Sequence, residues 1–448
     1  MFIVPARLLR ATPVFSLTLF LLASAAAAAA PPPPGPVAAS PALARIMTDY
    51  EAFDRAENPI ASGMEGDRAA LSKLPGVTPA DDARKKLALE RFKSRLAGIK
   101  LAELNDADRL NLTFLRRVVD TSLEGIAFDG ARLAFSSEGG PEGLLGYLEY
   151  VTVIRTAADA EAYLARMEAS AKLIADNTAN LRRGAKTGFV QSRATTEVAL
   201  RQLRLSLARA RMGEMPKPFA RLPDSIAAAD QAALRERALQ ILATRIVPAQ
   251  EAFLHAVESE VLPVAKAAIG ALHLPNGKAY YAHLARFYTT TSLTPDAIHE
   301  IGQQEVIRLR AEMEKEKTAA GFSGSLPAFL QFLRTDKQFY VTSREVLMEK
   351  SARIAKRADD ELPRIFGKLP RLPYGVREVP RQIEENYTTA RYNPGSPQLG
   401  IAGGLMVNTS HLDQRPLYEH PALMLHEGVP GHHLQIAISQ GLGELTWF

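Results

Sequence analysis

Residues 421–435 read PALMLHEGVPGHHLQ, and this stretch decides how the carboxyl-terminal part of the chain folds. Its first half is apolar and begins with Pro421, a residue type that favours the first turn of an α-helix. Its second half contains Pro430, which lacks an amide donor, and Gly431, which adds backbone freedom. A regular helix cannot pass through these two residues. We therefore predict a helix that is distorted over residues 428–431.

Three of the nine histidines in the chain, His426, His432 and His433, lie within eight residues of one another. Imidazole binds zinc well, and a glutamate beside a histidine ligand can take a proton from metal-bound water. The familiar zinc helix has its second histidine four residues after the first, where this chain has Pro430. On a straight helix His433 would lie about 10 Å along the axis from His426. A break can bring a later histidine back, so we predict His426 and His432 as zinc ligands, His433 as the alternative second ligand, and Glu427 as the general base.

The string from His426 to Gln435 resembles the signature His-Glu-x-x-Pro-Gly-His-His-x-Gln of a large bacterial family known as a domain of unknown function. Segments 275–281, 290–302, 321–324 and 407–409 also resemble that family, and the resemblance extends from about residue 45 to Phe448. The family is grouped with the zincin-like metallopeptidases, alongside neurolysin-like and carboxypeptidase Taq-like helical enzymes.

The resemblance implies a mostly α-helical fold and a zinc site with His426 and His432 as ligands and Glu427 as the base. It also implies a third ligand, a glutamate in a Glu-Gly-Trp segment on a helix further downstream. The chain contains no such segment, and Glu444 is the only acidic residue after the motif. Since a domain rarely ends directly after a core element, we expect the catalytic lobe to be truncated at its carboxyl-terminal end, with an incomplete metal site as the alternative. In either case this chain would be catalytically incomplete.

The rest of the chain predicts a mainly α protein, with a large helical body. Hydrophobic residues make up 47% and charged residues 23%, an ordinary globular composition. Pairs of a hydroxyl residue and proline predict helix N-caps at Ser40, Thr78 and Thr294. We assign residues 41–285 to an N-terminal helical lobe and residues 286–448 to a catalytic lobe.

The chain becomes rich in proline after Leu369, and this region predicts a small strand-containing part next to the metal-binding helix. Short strands are expected at residues 377–379 and 405–409. Before this region, the helix that follows Thr294 carries regularly spaced apolar residues, which predicts one buried face. These residues are Ile298, Ile301, Val306, Leu309 and Met313.

Several side chains near the motif have a structural and a functional interpretation. Gly403, Gly404 and Asn408 suit either an edge strand that pairs with a peptide substrate or a structural hairpin. Tyr387 and Tyr392 suit either hydroxyl donors to a developing oxyanion or packing residues, and packing is the commoner role. Two further histidines close to the motif are typical of surface or helix-start positions: His411 and His420.

The amino terminus has the order of a secretory signal peptide. Arg7 and Arg10 precede an apolar run at residues 14–23, and small residues follow at 24–30. We predict a signal peptide at residues 1–30 and a Pro-rich linker at 31–40, with an uncleaved anchor as the alternative. The apolar run is short for a membrane span, so no stable span is expected after cleavage. The mature protein is then exported, either periplasmic or extracellular.

Charge and cysteine content exclude several classes. The formal net charge is +5, but acidic and basic residues alternate and form no basic run, which argues against nucleic-acid binding. The chain has no cysteine, which excludes disulfides, thiolate zinc ligands and a cysteine nucleophile.

Together these features predict a secreted zinc-dependent peptidase in which Glu427 activates a zinc-bound water. The resemblance favours short peptide substrates, as for a carboxypeptidase, dipeptidase or oligopeptidase. The alternative is a non-catalytic exported helical protein that binds metal or peptide.

Overall fold

The computed structural model describes residues 39–137, 139–381 and 383–442. Within these residues the fold is mainly α-helical with one small sheet, as predicted. The predicted signal peptide, most of the predicted linker, and Glu444 lie outside the described residues. No helix in the described part of the chain is both long enough and apolar enough to span a membrane.

The first part of the fold consists of helices connected by short turns. In chain order they are α1 Pro41–Glu57, α2 Pro59–Met64, α3 Pro79–Ala97, α4 Asp106–Ile126, α5 Gly143–Val151, α6 Ala157–Thr187, α7 Arg193–Arg211, α8 Lys217–Ala220, α9 Ala228–Ile241 and α10 Val247–Ala256. The predicted caps of two helices are confirmed here. Ser40 Oγ accepts a hydrogen bond from Leu43 N, and Thr78 forms a capping box with Asp81 at the start of α3.

Three apolar clusters hold these helices together. One joins α1, α3 and α4 through fully buried residues such as Leu43, Leu112 and Leu115. The other two lie along α6, the longest of the helices, and join it to α7, α9 and α10. Burying each such leucine contributes about 1.5–3 kcal/mol, so these clusters account for much of the stability of this part.

The second part begins with α11 Gly277–Thr289, α12 Pro295–Ala319, α13 Leu326–Thr335 and α14 Arg344–Glu361. Thr294 caps α12 as predicted, because its hydroxyl accepts from Ala297 N. The lobe boundary expected between residues 285 and 286 falls inside α11. The two parts also touch through the loop at 394–401, where Ser396 Oγ donates to the carbonyl of Met64.

The prediction that α12 buries one face is wrong. None of its residues is buried, and Ile301, Val306 and Leu309 are 46–55% exposed. The main neighbours of α12 are α11 and α13, the helices next to it in the chain. Regular spacing shows which residues share a face of a helix. It does not show that another element covers that face.

A three-stranded sheet follows, formed by β1 Tyr374–Glu378, β2 Ala390–Asn393 and β3 Gly403–Val407 in the spatial order β1-β3-β2. β1 pairs with β3 in parallel, and β2 pairs with β3 antiparallel. The two predicted strands are confirmed with shifted ends, whereas β2 was not predicted. β3 is the central strand and all its residues are buried. The suggestion that the strand with Gly403 and Gly404 is a free edge is therefore wrong.

Two helices complete the described chain: α15 His420–Glu427 and α16 His432–Gly441. One face of the sheet packs on α14 and α15 through an apolar cluster that includes Leu347, Leu405, Val407 and Met424. This cluster holds α15 against the sheet, with the predicted metal-binding residues at the carboxyl end of the helix.

Candidate metal centre

The predicted distortion at residues 428–431 is confirmed. α15 ends at Glu427 and α16 begins at His432, and between them the chain forms a tight turn. Gly431 N donates to the carbonyl of Leu425, and His433 N donates to the carbonyl of Gly428. A Cβ on Gly431 would collide with the carbonyl of His426, so only glycine permits this close approach. The turn brings the start of α16 back to the end of α15.

This turn brings His426, Glu427 and His432 together. One potential ligand atom from each side chain lies within 4.8 Å of the other two. The two imidazole rings are 4.7 Å apart between centroids and nearly perpendicular, at 81°. Both histidines are exposed, whereas Glu427 is only 8% exposed. The arrangement therefore has an open side, formed by the imidazoles, and a buried side, formed by the carboxylate.

The residue types of this group suit zinc. Zinc accepts imidazole nitrogens and carboxylate oxygens at about 2.0–2.2 Å, so the donor atoms of a tetrahedral site lie about 3.3 Å apart. The three potential ligand atoms here lie within 4.8 Å of one another, which is wider than the spacing in a metal-bound site. Within residues 39–137, 139–381 and 383–442, this is the group of histidine and acidic side chains close enough to hold a metal ion.

Glu427 is held from the sheet. The backbone N–H of Tyr392, on β2, donates to Glu427 Oε2 at 2.7 Å. This hydrogen bond fixes one oxygen of a carboxylate that also lies beside the two histidines.

His433, the alternative second ligand, lies in a different environment. It is 1% exposed, and its Nδ1 is 2.9 Å from the hydroxyl of Tyr392. Its ring packs on Tyr374, with 4.4 Å between the ring centroids. Burial lowers the pKa of His433, while a hydrogen bond to the backbone of Leu372 and the charge of Asp359 act in the opposite direction. The geometry thus groups His432 with His426 and directs His433 towards the sheet.

The tyrosines and Asn408 have packing and hydrogen-bonding roles in this structure. Tyr392 is buried beside Gly403, where a Cβ would collide with its hydroxyl. The ring of Tyr387 lies under the guanidinium of Arg391, 5.3 Å from the ring centroid. The amide of Asn408 donates to the carbonyls of Glu384 and Tyr387, which holds the loop before β2.

A buried pair anchors the start of α15. His420 Nε2 is 2.6 Å from Ser351 Oγ on α14, and both residues are buried. Ser351 Oγ donates to the carbonyl of Leu347, so the imidazole must donate to Ser351 Oγ. His420 begins the helix, as its position in the sequence indicated, but it is not a surface residue. Burial lowers its pKa.

Several of these partners were not recognisable in the sequence. Ser351 lies 69 residues before His420, and Tyr392 lies 35 residues before Glu427. Neither separation along the sequence corresponds to a recognisable motif, because each contact depends on how β2 and α14 pack against α15. Conservation of Tyr392 and Ser351 among related sequences is a signal that could have identified these partners. A single sequence carries no such signal.

Comparison with known proteins agrees with the helical fold. The family described as "Bacterial protein of unknown function (DUF885)" matches residues 59–448. No curated protein matches the sequence. The structure is similar to that of "the putative lipoprotein from Colwellia psychrerythraea", with a TM-score of 0.78 and 19% identity over 89% of this chain and 72% of that chain. It is also similar to "a putative lipoprotein of unknown function from Shewanella oneidensis", with a TM-score of 0.60 and 16% identity over 91% and 74% of the two chains.

At such low identities the likeness to the solved structures concerns the fold alone. The family match covers most of the chain and includes every residue of the candidate centre. The expected membership of a bacterial family of unknown function is therefore confirmed, while the zincin-like grouping stays a prediction. The chain belongs to the DUF885 family of bacterial proteins of unknown function.

Proposed function

We propose that this protein is an exported zinc-dependent peptidase that hydrolyses short peptides. The observation that carries the proposal is the convergence of His426, Glu427 and His432 at the break between α15 and α16. The two imidazoles on the open side suit zinc ligands, and the carboxylate on the buried side suits the general base beside them; the third ligand that the family resemblance implies would come from a downstream segment. The amino-terminal signal pattern and the lipoprotein names of both solved neighbours support an exported location.

In this proposal His426 and His432 hold the zinc ion. Their ring centroids are 4.7 Å apart, and one ring nitrogen of each histidine lies within 4.8 Å of the other. Zinc, when bound, supplies a Lewis acid that polarises a carbonyl group and makes water more acidic. Since both rings are exposed, a peptide can approach the centre from solvent.

Glu427 acts as the general base and is not a ligand in the working scheme. Its carboxylate accepts a proton from the attacking water and passes it to the leaving nitrogen, while the C–O bond forms and the C–N bond breaks. The hydrogen bond from Tyr392 N to Oε2 limits the rotation of this carboxylate, which keeps its other oxygen available for the proton. The choice of a peptide as substrate comes from the resemblance to helical zincin-like enzymes.

The test is a comparison of zinc content and peptide hydrolysis in four proteins. The parent should bind about one zinc per chain and hydrolyse short peptides, and a chelator should abolish this activity. His426→Ala should lose both zinc and activity. Glu427→Gln should keep zinc and lose at least about 100-fold in kcat, the usual contribution of a general base. His299→Gln, at an exposed histidine on α12, is the matched control and should keep both.

Two outcomes would contradict the proposal in different ways. If the parent binds no zinc, the proposed metal centre is refuted. A parent that binds zinc at His426 but hydrolyses no peptide would support the alternative, an exported protein that binds metal without turnover.

A further inference from the structure

The two adjacent histidines of the motif do different things, and the second of them carries an inference beyond the metal centre. His432 is exposed in the cluster, whereas His433 is buried against Tyr374 and Tyr392. A fully buried imidazole requires hydrogen-bond partners for its nitrogens. Those partners determine which nitrogen of His433 donates a hydrogen bond and which accepts one.

The partners determine which nitrogen carries the proton. A phenol hydroxyl is a better hydrogen-bond donor than a neutral imidazole, and an unprotonated imidazole nitrogen is a good acceptor. A neutral imidazole has a single N–H group. Nδ1, which faces the hydroxyl of Tyr392 at 2.9 Å, is then the acceptor, and the tyrosine O–H is the donor. The hydroxyl of Tyr392 is thereby engaged with His433.

Tyr392 connects this buried pair to the centre. Its side chain bonds to His433 on α16, and its own backbone N–H donates to Glu427 Oε2 on α15. Among the residues that the structure describes, β2 is an edge strand of four residues that pairs with β3 on one side only. An edge strand has unpaired backbone groups on one side, so side-chain contacts contribute more to its position than they do in a central strand. The absence of a side chain on Gly403 lets the phenol lie directly on β3.

We propose that His433 and Tyr392 are positioning residues for Glu427: His433 accepts the Tyr392 hydroxyl and so holds the Tyr392 amide against the carboxylate. The motif therefore uses its two histidines for two tasks, one to bind metal and one to fix the base through the sheet. The effect on catalysis rests on the proposed function. The hydrogen-bond arrangement does not, and it can be measured on its own.

The first test measures the imidazole tautomer of His433 in the full-length protein labelled with ¹⁵N-histidine. The His433 resonances are assigned by their loss in His433→Asn. We expect Nε2–H with an unprotonated Nδ1, and we expect zinc addition to shift the nitrogens of His426 and His432 only. A proton on Nδ1, or a metal-induced shift of the kind seen when imidazole nitrogen binds zinc directly, would overturn the assignment.

The second test uses Tyr392→Phe, which removes the hydroxyl and retains the amide. We expect zinc to stay at about one per chain, kcat to fall about 10–100-fold with little change in KM, and the residue-392 amide to exchange faster. His433→Leu should behave in the same way. His433→Asn, whose side-chain oxygen lies near the position of Nδ1, should recover part of the loss.

The outcomes separate this inference from the proposed function. Loss of zinc in His433→Asn to the same extent as in His432→Ala would make His433 a ligand and refute its positioning role. Unchanged amide exchange and kcat in a folded Tyr392→Phe would also refute it. If the parent lacks zinc or peptidase activity, the proposed function fails, and the tautomer and the amide exchange still decide the inference.

Discussion

The turn between α15 and α16 and the long helix α12 differ in how they are held. At the turn, the sheet contacts three residues of the motif: Tyr392 N donates to Glu427, Leu405 lies close to Gly428, and Tyr374 and Tyr392 contact His433. α12 has 25 residues with regularly spaced apolar side chains, yet none is buried. Both segments have a clear sequence pattern. A sequence pattern reports only on the segment that contains it. Whether the residues of that segment are buried depends on contacts with elements far away in the chain.

The largest expected effect comes from a glycine in each region. Gly431→Ala should destabilise the fold by roughly 4 kcal/mol or more and abolish zinc binding, because its Cβ would meet the rigid carbonyl of His426. Gly302→Ala on α12 meets no atom and should stabilise the helix by up to about 1 kcal/mol. Denaturant unfolding and zinc analysis measure both. Equal changes in stability and zinc binding in the two variants would show that the turn is no more constrained than α12.

The next effect compares a leucine in each region. Leu405→Ala, in the centre of the sheet at 0% exposure, should cost about 2–4 kcal/mol through lost burial and a cavity. Leu309→Ala on α12, at 46% exposure, should change the free energy of unfolding by less than about 0.5 kcal/mol. Urea titrations of the two variants provide the values. A large loss in Leu309→Ala would mean that its face is covered in solution.

A smaller effect is expected at the anchor of α15. Ser351→Ala should cost about 1–3 kcal/mol, because it leaves the buried N–H of His420 without an acceptor. Ser439→Ala is the matched control, since that hydroxyl also donates to the carbonyl four residues earlier but lies exposed. Its cost should stay below about 0.5 kcal/mol. Similar losses at both positions would indicate that the His420 contact contributes nothing.

The smallest effect is a dependence on pH. Burial lowers the pKa of His420 below its usual value of about 6.5, so the unfolded chain takes up a proton at higher pH than the folded chain. The stability that His420 contributes is therefore complete above pH about 6.5 and is lost as the pH falls further. His420→Gln should reduce this loss between pH 7 and 5, whereas Met424→Leu on the same helix should leave the slope unchanged. An unaltered slope in His420→Gln would refute the assignment.

Much of the fold was predictable because its signals are local. The N-caps at Ser40, Thr78 and Thr294 depend on hydrogen bonds to amides three residues away, and all three form. The break after Glu427 depends on proline and glycine at fixed positions, and it also forms. β2 was missed because its four residues are too few to show an alternating pattern.

The candidate centre was predictable in part for the same reason. His426, Glu427 and His432 are neighbours in the chain, so one turn suffices to bring them together. The roles of Tyr392 and Ser351 depend on elements far away in sequence, and the choice between His432 and His433 depends on which of them faces the sheet. The spacing of residues in the sequence does not predict which of the two histidines faces the sheet.

The sequence by itself determined the mainly helical fold class, the position of the break at residues 428–431 and the residues available to bind a metal. These features follow from hydrogen bonds and steric limits within a few residues of the chain. Only the tertiary structure decided that α12 is exposed, that β3 is central, and that His432 and His433 face opposite environments. Such outcomes depend on which surfaces pack together, because burial and long-range hydrogen bonds are properties of the assembled fold.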